Sequence, residues 1–214
     1  MKYKFIAIEG NIGVGKTTLA TMLAKDLNAR LILEKFEKNP FLPKFYKNPK
    51  KNALPLELFF MAERYHQLKQ QKAQDLFQPF TISDYFFIKS KLFAYNNLQK
   101  DEIQLFNNLF EIMLSSLPKP NLLVYLHTDI KSLQNNIHKR GREYEQKITD
   151  EYLVNIQTVY FDYLKKQNDF PVLVIDIRNQ DFKNDKLIFK RIKKQILKKY
   201  KLGIHYLDLI NPVS

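Results

Sequence analysis

Residues 10 to 17 read Gly-Asn-Ile-Gly-Val-Gly-Lys-Thr, a complete phosphate-binding loop of the pattern G-x-x-x-x-G-K-[ST]. The apolar run Phe5 to Ile8 precedes this loop, and leucine and methionine at helical spacing follow it from Leu19 to Leu27. Strand, loop and helix in this order aim backbone N–H groups at an anion. The stretch therefore predicts that the chain binds a nucleoside triphosphate.

The residue types of this loop each have a chemical reason. Glycines let the backbone curl around phosphate oxygens, Lys16 supplies a positive charge, and Thr17 offers a hydroxyl to Mg²⁺. We therefore predict Thr17 as a metal ligand. The predicted ATP-binding residues of the loop are Gly10, Asn11, Ile12, Gly13, Val14, Gly15, Lys16, Thr17 and Thr18.

The composition predicts one cored domain spanning residues 1–214. The chain has no cysteine, so a disulfide framework is excluded and metal sites must use oxygen or histidine ligands. No stretch approaches the ~18 apolar residues of a membrane span, and no apolar signal core precedes the first strand. We expect a cytoplasmic protein without a membrane partner.

The formal net charge of +13 is spread along the chain and is dense only between residues 183 and 201. There, lysines surround Leu187, Ile188, Ile192 and Ile196, which is the pattern of an amphipathic helix. Its basic face is interpreted as a solvated surface, with an anionic partner as the alternative. Nucleic acid is therefore not an expected partner.

Short apolar runs alternate with helical stretches along the chain, which predicts an α/β fold with a five-stranded parallel sheet and helices on both faces. The strands are expected at residues 4–9, 30–34, 80–84, 121–127 and 172–177. The helices are expected at residues 15–28, 54–74, 86–115, 130–140, 149–167 and 183–201. Because ligands of such sheets bind at the carboxyl ends of strands, the site is expected there.

Two segments do not follow this alternation. Residues 35–53 contain three prolines and several aromatic residues, which predicts an irregular stretch that either covers a pocket or is a surface loop held by buried rings. The tail, residues 203–214, receives no assignment.

A second cationic motif lies at residues 139 to 142, Lys-Arg-Gly-Arg. Arginines on a glycine-containing loop can fold over a triphosphate and stabilise charge during phosphoryl transfer. Together with the phosphate-binding loop, Arg140 and Arg142 indicate a small-molecule kinase with an arginine lid at residues 136–147.

An ordered set of motifs makes this chain resemble the deoxynucleoside kinase family, in particular its bacterial deoxyadenosine and deoxyguanosine kinases. The set comprises the phosphate-binding loop, Glu34, Glu-Arg-Tyr-His-Gln at 63–67, Ser-Asp-Tyr-Phe-Phe-Ile-Lys-Ser-Lys-Leu-Phe-Ala at 83–94, and Lys-Arg-Gly-Arg-x-x-Glu-Gln from residue 139. The resemblance implies a P-loop kinase that uses ATP and Mg²⁺ to phosphorylate the 5′-hydroxyl of a deoxynucleoside.

The same resemblance implies roles for the acceptor side of the site. Glu34 matches the general base that takes the 5′-hydroxyl proton, with Glu37 as its rival. Tyr46 and Glu145 match residues that bind the sugar 3′-hydroxyl, which favours deoxyribose. Arg64 matches an arginine beside the reacting oxygen.

Glu57 occupies the position from which cytidine-preferring relatives read the base with glutamine. A carboxylate only accepts hydrogen bonds, so it suits the two donors of guanine better than the one donor and one acceptor of adenine. This favours deoxyguanosine slightly, since water or a protonated carboxyl could reverse the preference.

Two positions depart from the family pattern. After the third strand many relatives carry an acidic-Arg-Ser triplet, but this chain reads Ser83-Asp84-Tyr85, so Asp84 is assigned either to Mg²⁺ or to the base. Asn136 stands where several relatives have arginine, which leaves Arg140 and Arg142 as the phosphate clamps, with Lys139 as a possible substitute.

The loop after the fifth predicted strand matches the family's adenine-binding loop. Asp181 and Phe182 are assigned to ATP there, and either Arg178 or Phe182 is expected to stack on the adenine. The apolar helix predicted over residues 102–117 carries enough apolar residues to pack on two sides, so we expect a homodimer.

Two other functions remain open from the residues. A nucleoside monophosphate kinase of the thymidylate-kinase type shares the loop and the lid, and Arg64 and Lys89 could hold its acceptor phosphate. The other alternative is a nucleotide-gated protein that binds nucleic acid through residues 183–201. Such a protein would bind DNA with an affinity that falls steeply with salt.

Overall fold

The computed structural model describes residues 3–35, 39–70 and 80–209. Within them six strands form one parallel sheet in the order β2-β3-β1-β4-β5-β6. The strands are β1 (Phe5–Gly10), β2 (Arg30–Ile32), β3 (Thr81–Ser83), β4 (Leu122–His127), β5 (Pro171–Asp176) and β6 (Gly203–Asp208). The α/β class is confirmed, and all five predicted strands are present.

The prediction of five strands was wrong, because the unassigned tail supplies β6. This strand pairs in parallel with β5 from Gly203 opposite Pro171 to Asp208 opposite Asp176. It lies at the edge of the sheet, where its described side chains are half-buried or exposed, so the strand needs no continuous apolar run. Residues 210–214 lie outside the described residues.

Eight α-helices and a short 3₁₀ helix, Glu143–Glu145, accompany the strands within the described part of the chain. None of these helices is long and apolar enough to cross a bilayer. The α-helices are α1 (Lys16–Leu27), α2 (Leu42–Lys47), α3 (Pro49–Lys69), α4 (Ile88–Asn97), α5 (Lys100–Leu114), α6 (Ile130–Arg140), α7 (Asp150–Lys166) and α8 (Lys186–Ile196).

One helix prediction and the prediction of an irregular segment were wrong in their boundaries. The single helix expected at 86–115 is divided, since Leu98 and Gln99 have extended backbone and Gln99 forms a capping box with Glu102 at the start of α5. The segment expected to be irregular holds α2 and the start of α3. Its prolines do not prevent this, because Pro43 and Pro49 occupy first-turn positions where no intrahelical N–H is needed.

Side chains of β1 alternate between two apolar cores, one on each face of the sheet. Ile6 and Ile8 belong to the core beneath α1, α6 and α8. Phe5 and Ala7 belong to the core beneath α3, α4 and α5. The basic helix α8 contributes to the first core through Ile192 and Ile196, which are fully buried, so its apolar face packs on the core.

The chain order reverses around β1, which lies between β3 and β4. In an open parallel sheet the loops on the two sides of such a strand diverge and leave a crevice at its carboxyl end. The phosphate-binding loop follows β1 directly, so the fold places this loop at the crevice.

Candidate active site

A cleft of about 1430 Å³ opens at the carboxyl ends of the strands. It extends from the phosphate-binding loop past Glu34 to Glu57 in one direction and to Asp181 in the other. The predicted donor and acceptor sides of the reaction therefore share one cavity. Its size suits two ligands of nucleoside size, since small-molecule pockets usually measure ~300–1,000 Å³.

Close packing requires glycine at two positions of the loop. A Cβ atom on Gly10 would lie 2.6 Å from the carbonyl oxygen of Leu126, and Gly10 has a φ of +145°. A Cβ atom on Gly13, which has a φ of +82°, would lie 2.9 Å from the carbonyl oxygen of Leu133. Asn11 anchors the loop, because its buried side-chain amide donates to the carbonyl of Leu153 in α7 at 2.8 Å.

Lys16 folds back onto the loop, where its ammonium donates to the carbonyl oxygens of Gly10 and Asn11 at 2.9 and 2.8 Å. Burial and repulsion from the nearby Lys89 lower the pKa of Lys16 to about 8. The positive charge of Lys16 is thus poorly compensated by the protein, which suits an anionic ligand in the cleft.

Glu34 lies two residues beyond β2 and is held on both oxygens by cations from two helices. Arg64 of α3 donates through Nε to Oε1 at 2.8 Å, and Lys89 of α4 donates to Oε2 at 2.5 Å. Although burial opposes ionisation, these two cations hold the pKa of Glu34 well below its usual range. Its rival Glu37 lies outside the described residues.

Asp84 connects the phosphate-binding loop to the end of β2. Its Oδ2 accepts a hydrogen bond from the Thr17 hydroxyl at 2.5 Å, and its Oδ1 accepts one from the Glu34 backbone N–H at 2.8 Å. Burial raises the pKa of Asp84. The side chain is thereby placed beside Thr17, the predicted metal ligand.

Glu57 of α3 is buried and lines the cleft. Its Oε1 accepts a hydrogen bond from the side chain of Asn97 at 2.7 Å, and Asn97 in turn accepts one from the Tyr152 hydroxyl at 3.1 Å. Oε2 has no hydrogen-bond partner among the described residues. Burial raises the pKa of Glu57 to about 7.

The predicted sugar-binding pair lies on two elements that pack against each other, Tyr46 on α2 and Glu145 on the 3₁₀ helix. The ring of Tyr46 stacks on Tyr144 with ring centres 5.9 Å apart, and burial, with a smaller effect of Glu145, raises the pKa of Tyr46. Glu145 is buried and pairs with both lid arginines, Arg140 and, at 3.2 Å, Arg142. In this state the arginines are held by the lid's own carboxylate.

The predicted adenine-binding loop borders the far end of the cleft. Phe182 is buried with its ring against Gly15, so the ring supports the phosphate-binding loop. Asp181 is exposed and accepts hydrogen bonds from the backbone and side chain of Asn184. Arg178 pairs with Asp176 at 2.6 Å. Stacking of Arg178 or Phe182 on an adenine stays a prediction.

Sequence reasoning missed the roles of several polar side chains. Asn97 and Tyr152 belong to none of the motifs. Asn97 donates a hydrogen bond to Glu57, and Tyr152 donates one to Asn97. Asn136 was described only as a missing arginine, and its amide closes onto the phosphate-binding loop by donating to the Gly13 carbonyl at 2.9 Å. Lys89 was considered only for an acceptor phosphate. For Lys89 and Asn97 the available signal was a polar side chain on α4, a helix with a largely buried face.

A phosphate-binding loop at the switch point of a parallel sheet, a carboxylate across the cleft and a pair of lid arginines define a P-loop phosphotransferase. A family model described as deoxynucleoside kinase matches residues 6–201, and the chain belongs to this family.

Similar proteins agree with this assignment. Deoxyguanosine kinase of Bacillus subtilis (strain 168) is 38% identical over 194 residues, which cover 88% of this chain and 93% of the relative. Deoxyadenosine/deoxycytidine kinase of the same organism is 32% identical, with 91% and 92% covered. A solved structure of deoxyadenosine kinase from M. mycoides with bound dATP has a TM-score of 0.77 at 26% identity and covers 91% of this chain and 100% of that chain.

Proposed function

We propose that this chain transfers the γ-phosphoryl group of ATP to the 5′-hydroxyl of a purine deoxynucleoside, with deoxyguanosine as the preferred substrate. The observation that carries the proposal is the position of Glu34. Its carboxylate lies in the same cleft as the phosphate-binding loop on one side and Glu57 on the other. A nucleoside whose base reaches Glu57 would present its 5′-hydroxyl toward Glu34 and the phosphates.

Glu34 acts as the general base in this proposal. A carboxylate held ionised can accept the hydroxyl proton as the bond to phosphorus forms, and Arg64 fixes its orientation. Lys16, Arg140 and Arg142 stabilise the charge on the transferred group. For the arginines this requires the lid, residues 136–147, to exchange the Glu145 contacts for contacts with phosphate.

The residues present fit Mg²⁺. Among the described residues no group of three acidic or histidine side chains could hold a metal ion. Mg²⁺ in kinases, however, needs only one or two protein oxygens, since substrate phosphates and water complete its shell. The hydroxyl of Thr17 and the carboxylate of Asp84 supply two hard oxygen donors at one place. The ion would neutralise charge between the phosphates.

The substrate preference rests on the acceptor pocket. Tyr46 and Glu145 would bind the 3′-hydroxyl of a deoxyribose, since α2 packs against the 3₁₀ helix that carries Glu145. The unpartnered Oε2 of Glu57 would accept from the guanine edge. The similarity to the deoxyguanosine kinase of B. subtilis supports the same choice.

The monophosphate kinase alternative is not favoured. Its acceptor phosphate would need Arg64 and Lys89, and both cations are bound to Glu34. Asp181 and Phe182 are proposed to border the ATP base, and a homodimer is proposed for the whole molecule. The cytoplasmic location and the extent of the domain over residues 1–214 stay predictions.

A panel of nucleosides tests the function. Purified protein is incubated with ATP, Mg²⁺ and each of the common deoxynucleosides and ribonucleosides, and products are separated by chromatography. We expect deoxyguanosine monophosphate as the main product and deoxyadenosine monophosphate as the second. Turnover of deoxythymidine or of a nucleoside monophosphate in preference to both purines would contradict the proposal.

A further inference from the structure

Gln67 and Tyr85 belong to motifs of the sequence, and the proposed function gives neither of them a task. We propose that these two side chains form a hydrogen-bonded relay that positions the backbone of Glu34 for phosphoryl transfer. Both are positioning residues, because they act through Glu34. This inference rests on the role of Glu34 as general base in the proposed function.

The relay runs from the residues after β3 through α3 to the chain beyond β2. The Tyr85 hydroxyl donates to Oε1 of Gln67 at 2.8 Å. The side-chain amide of Gln67 donates through Nε2 to the carbonyl oxygen of Leu33 at 3.1 Å. Leu33 directly precedes Glu34, so the relay ends on the peptide group that joins these two residues.

The direction of the relay follows from its last acceptor. A backbone carbonyl can only accept a hydrogen bond, so Nε2 of Gln67 must face Leu33 and Oε1 must face Tyr85. The Tyr85 hydroxyl must therefore donate. Both bonds join neutral groups, so the relay needs no change in protonation.

The peptide group between Leu33 and Glu34 is held at both of its polar atoms. Its carbonyl accepts from Gln67, and its N–H donates to Oδ1 of Asp84 at 2.8 Å. One residue earlier, the Ile32 carbonyl accepts from the backbone N–H of Asp84 at 3.1 Å. Pairing between β2 and β3 ends at Ile32. The relay thus fixes the backbone of Glu34 at a point that the sheet no longer holds.

The contacts of the Glu34 carboxylate do not replace this support. Arg64 and Lys89 orient the end of the side chain, whereas the peptide group sets the place from which the side chain starts. Arg64 and Gln67 are three positions apart on α3, which places them on one face of that helix. The same helix therefore holds Glu34 at its carboxylate and at its backbone.

The burial of the relay suits a support of fixed geometry. Tyr85 is fully buried in the core beneath α3, α4 and α5, while Gln67 lines the cleft together with Glu34. Because a buried hydroxyl cannot exchange its partner for water, the bond from Tyr85 holds the Gln67 amide in one orientation. Misplacement of a reacting group by about 1 Å can lower a rate by about 10²-fold, so loss of this support should lower turnover.

The experiment compares Gln67→Met and Tyr85→Phe with the matched control Tyr200→Phe. Gln67→Met removes both hydrogen bonds of the relay, and Tyr85→Phe removes the hydroxyl alone. The hydroxyl of Tyr200 donates to the Gln195 carbonyl at 3.0 Å, near the amino ends of the strands. For each full-length protein we measure kcat, nucleoside KM and ATP affinity, with circular dichroism as the measure of folding.

We expect Gln67→Met to lower kcat by about 10- to 100-fold, while nucleoside KM and ATP affinity change little. Tyr85→Phe should lower kcat less, because Gln67 keeps its bond to Leu33. The double variant should lose no more than Gln67→Met alone, because the Tyr85 hydroxyl then has no amide to orient. Tyr200→Phe should match the unmodified protein.

The same substitutions in a Glu34→Gln background test whether the relay acts through Glu34. With the general base removed, Gln67→Met should cause no further loss of kcat. A further loss as large as in the unmodified background would overturn the proposal, and so would a normal kcat in folded Gln67→Met. If Gln67→Met does not fold, Tyr85→Phe in the two backgrounds gives the same decision.

Hydrogen exchange of the Glu34 amide measures the support without any activity. We expect faster exchange in Gln67→Met and in Tyr85→Phe than in the unmodified protein, because the peptide group is then held less firmly. Unchanged exchange in both variants would overturn the relay. If the unmodified protein phosphorylates no deoxynucleoside, the proposed function fails, and the exchange measurement still decides whether the relay holds Glu34.

Discussion

At the scale of single residues, the Glu34 carboxylate carries the most specific chemical expectation. Glu34→Gln keeps the shape of the side chain but removes its ability to take a proton. We expect turnover to fall by ~10²-fold or more, the usual scale for losing positioned acid-base help, while binding of ATP and nucleoside is retained. Steady-state kinetics with equilibrium binding of both ligands measures the difference.

Burial of two cations beside Glu34 calls for a stability control on that variant. Arg64 and Lys89 would face a neutral amide, so thermal unfolding of Glu34→Gln is compared with that of the unmodified protein. A folded variant with nearly normal turnover would transfer the role of general base to Glu37.

Because of Glu57, we expect the preference between guanine and adenine to depend on pH. Its pKa is about 7, and Asn97 occupies Oε1, so a proton taken up goes to the unpartnered Oε2. Above that pH Oε2 accepts from guanine N1–H, and below it the O–H donates to adenine N1. The ratio of kcat/KM for deoxyguanosine over deoxyadenosine should therefore rise by about tenfold as pH increases through neutrality.

Two substitutions separate this effect from a general pH response. Glu57→Gln removes the titration, so the ratio becomes independent of pH and shifts toward deoxyadenosine. Asn97→Ala removes a hydrogen bond that favours the ionised carboxylate, so the midpoint moves to higher pH. Competition assays with both nucleosides give the ratios. A flat ratio in the unmodified protein would show that Glu57 does not read the base.

At the scale of elements, α6 and the 3₁₀ helix after it form a closed unit in which Glu145 binds the two lid arginines. If Arg142 leaves this contact for the transferred phosphate, it stabilises the transition state more than the bound substrates. Arg142→Ala should then lower kcat by ~10²-fold or more while changing nucleoside affinity little. Lys16→Ala should behave in the same way.

The matched control for the lid is Lys147→Ala, since Lys147 is an exposed cation on the same segment. Pre-steady-state measurement of the chemical step separates catalysis from product release. Equal losses in kcat and in nucleoside affinity for Arg142→Ala would indicate simple ground-state binding.

At the scale of the whole molecule, α5 carries apolar side chains that the described residues leave exposed. Phe106 and Phe110 are fully buried, whereas Leu105 and Ile112 are 52% and 71% exposed. Such a two-sided apolar helix favours a homodimer, because burying the outer face removes apolar area from water. Light scattering at micromolar concentration should report twice the mass of the 25.6 kDa chain.

A charge on this face tests the contact. Leu105→Lys with Ile112→Lys should shift the protein to monomer, because dimerisation would bury two cations in each chain. Leu187→Lys serves as the control, since Leu187 of α8 is 75% exposed on the opposite face of the sheet. A monomeric unmodified protein would contradict the homodimer.

The local sequence pattern was sufficient to predict much of this fold. The phosphate-binding loop, the five predicted strands and helix Ile130–Arg140 were readable because apolar periodicity and glycine spacing act over a few residues. The division at Leu98 and the edge strand Gly203–Asp208 were not readable, since a break within a long helical pattern and a strand with one neighbour leave weak local signals.

The sequence by itself determined the strand-loop-helix start, the family and the residue types available for catalysis. The tertiary structure alone decided which of them meet. Glu34 beyond β2, Arg64 of α3 and Lys89 of α4 lie 25 to 55 positions apart in the chain, and the hydrogen bonds that link Glu57, Asn97 and Tyr152 span 40 and 55 positions. The physical reason is that a local sequence pattern indicates only which face of an element is buried. Ion pairing and the burial of a charge depend instead on how several elements pack around one cleft.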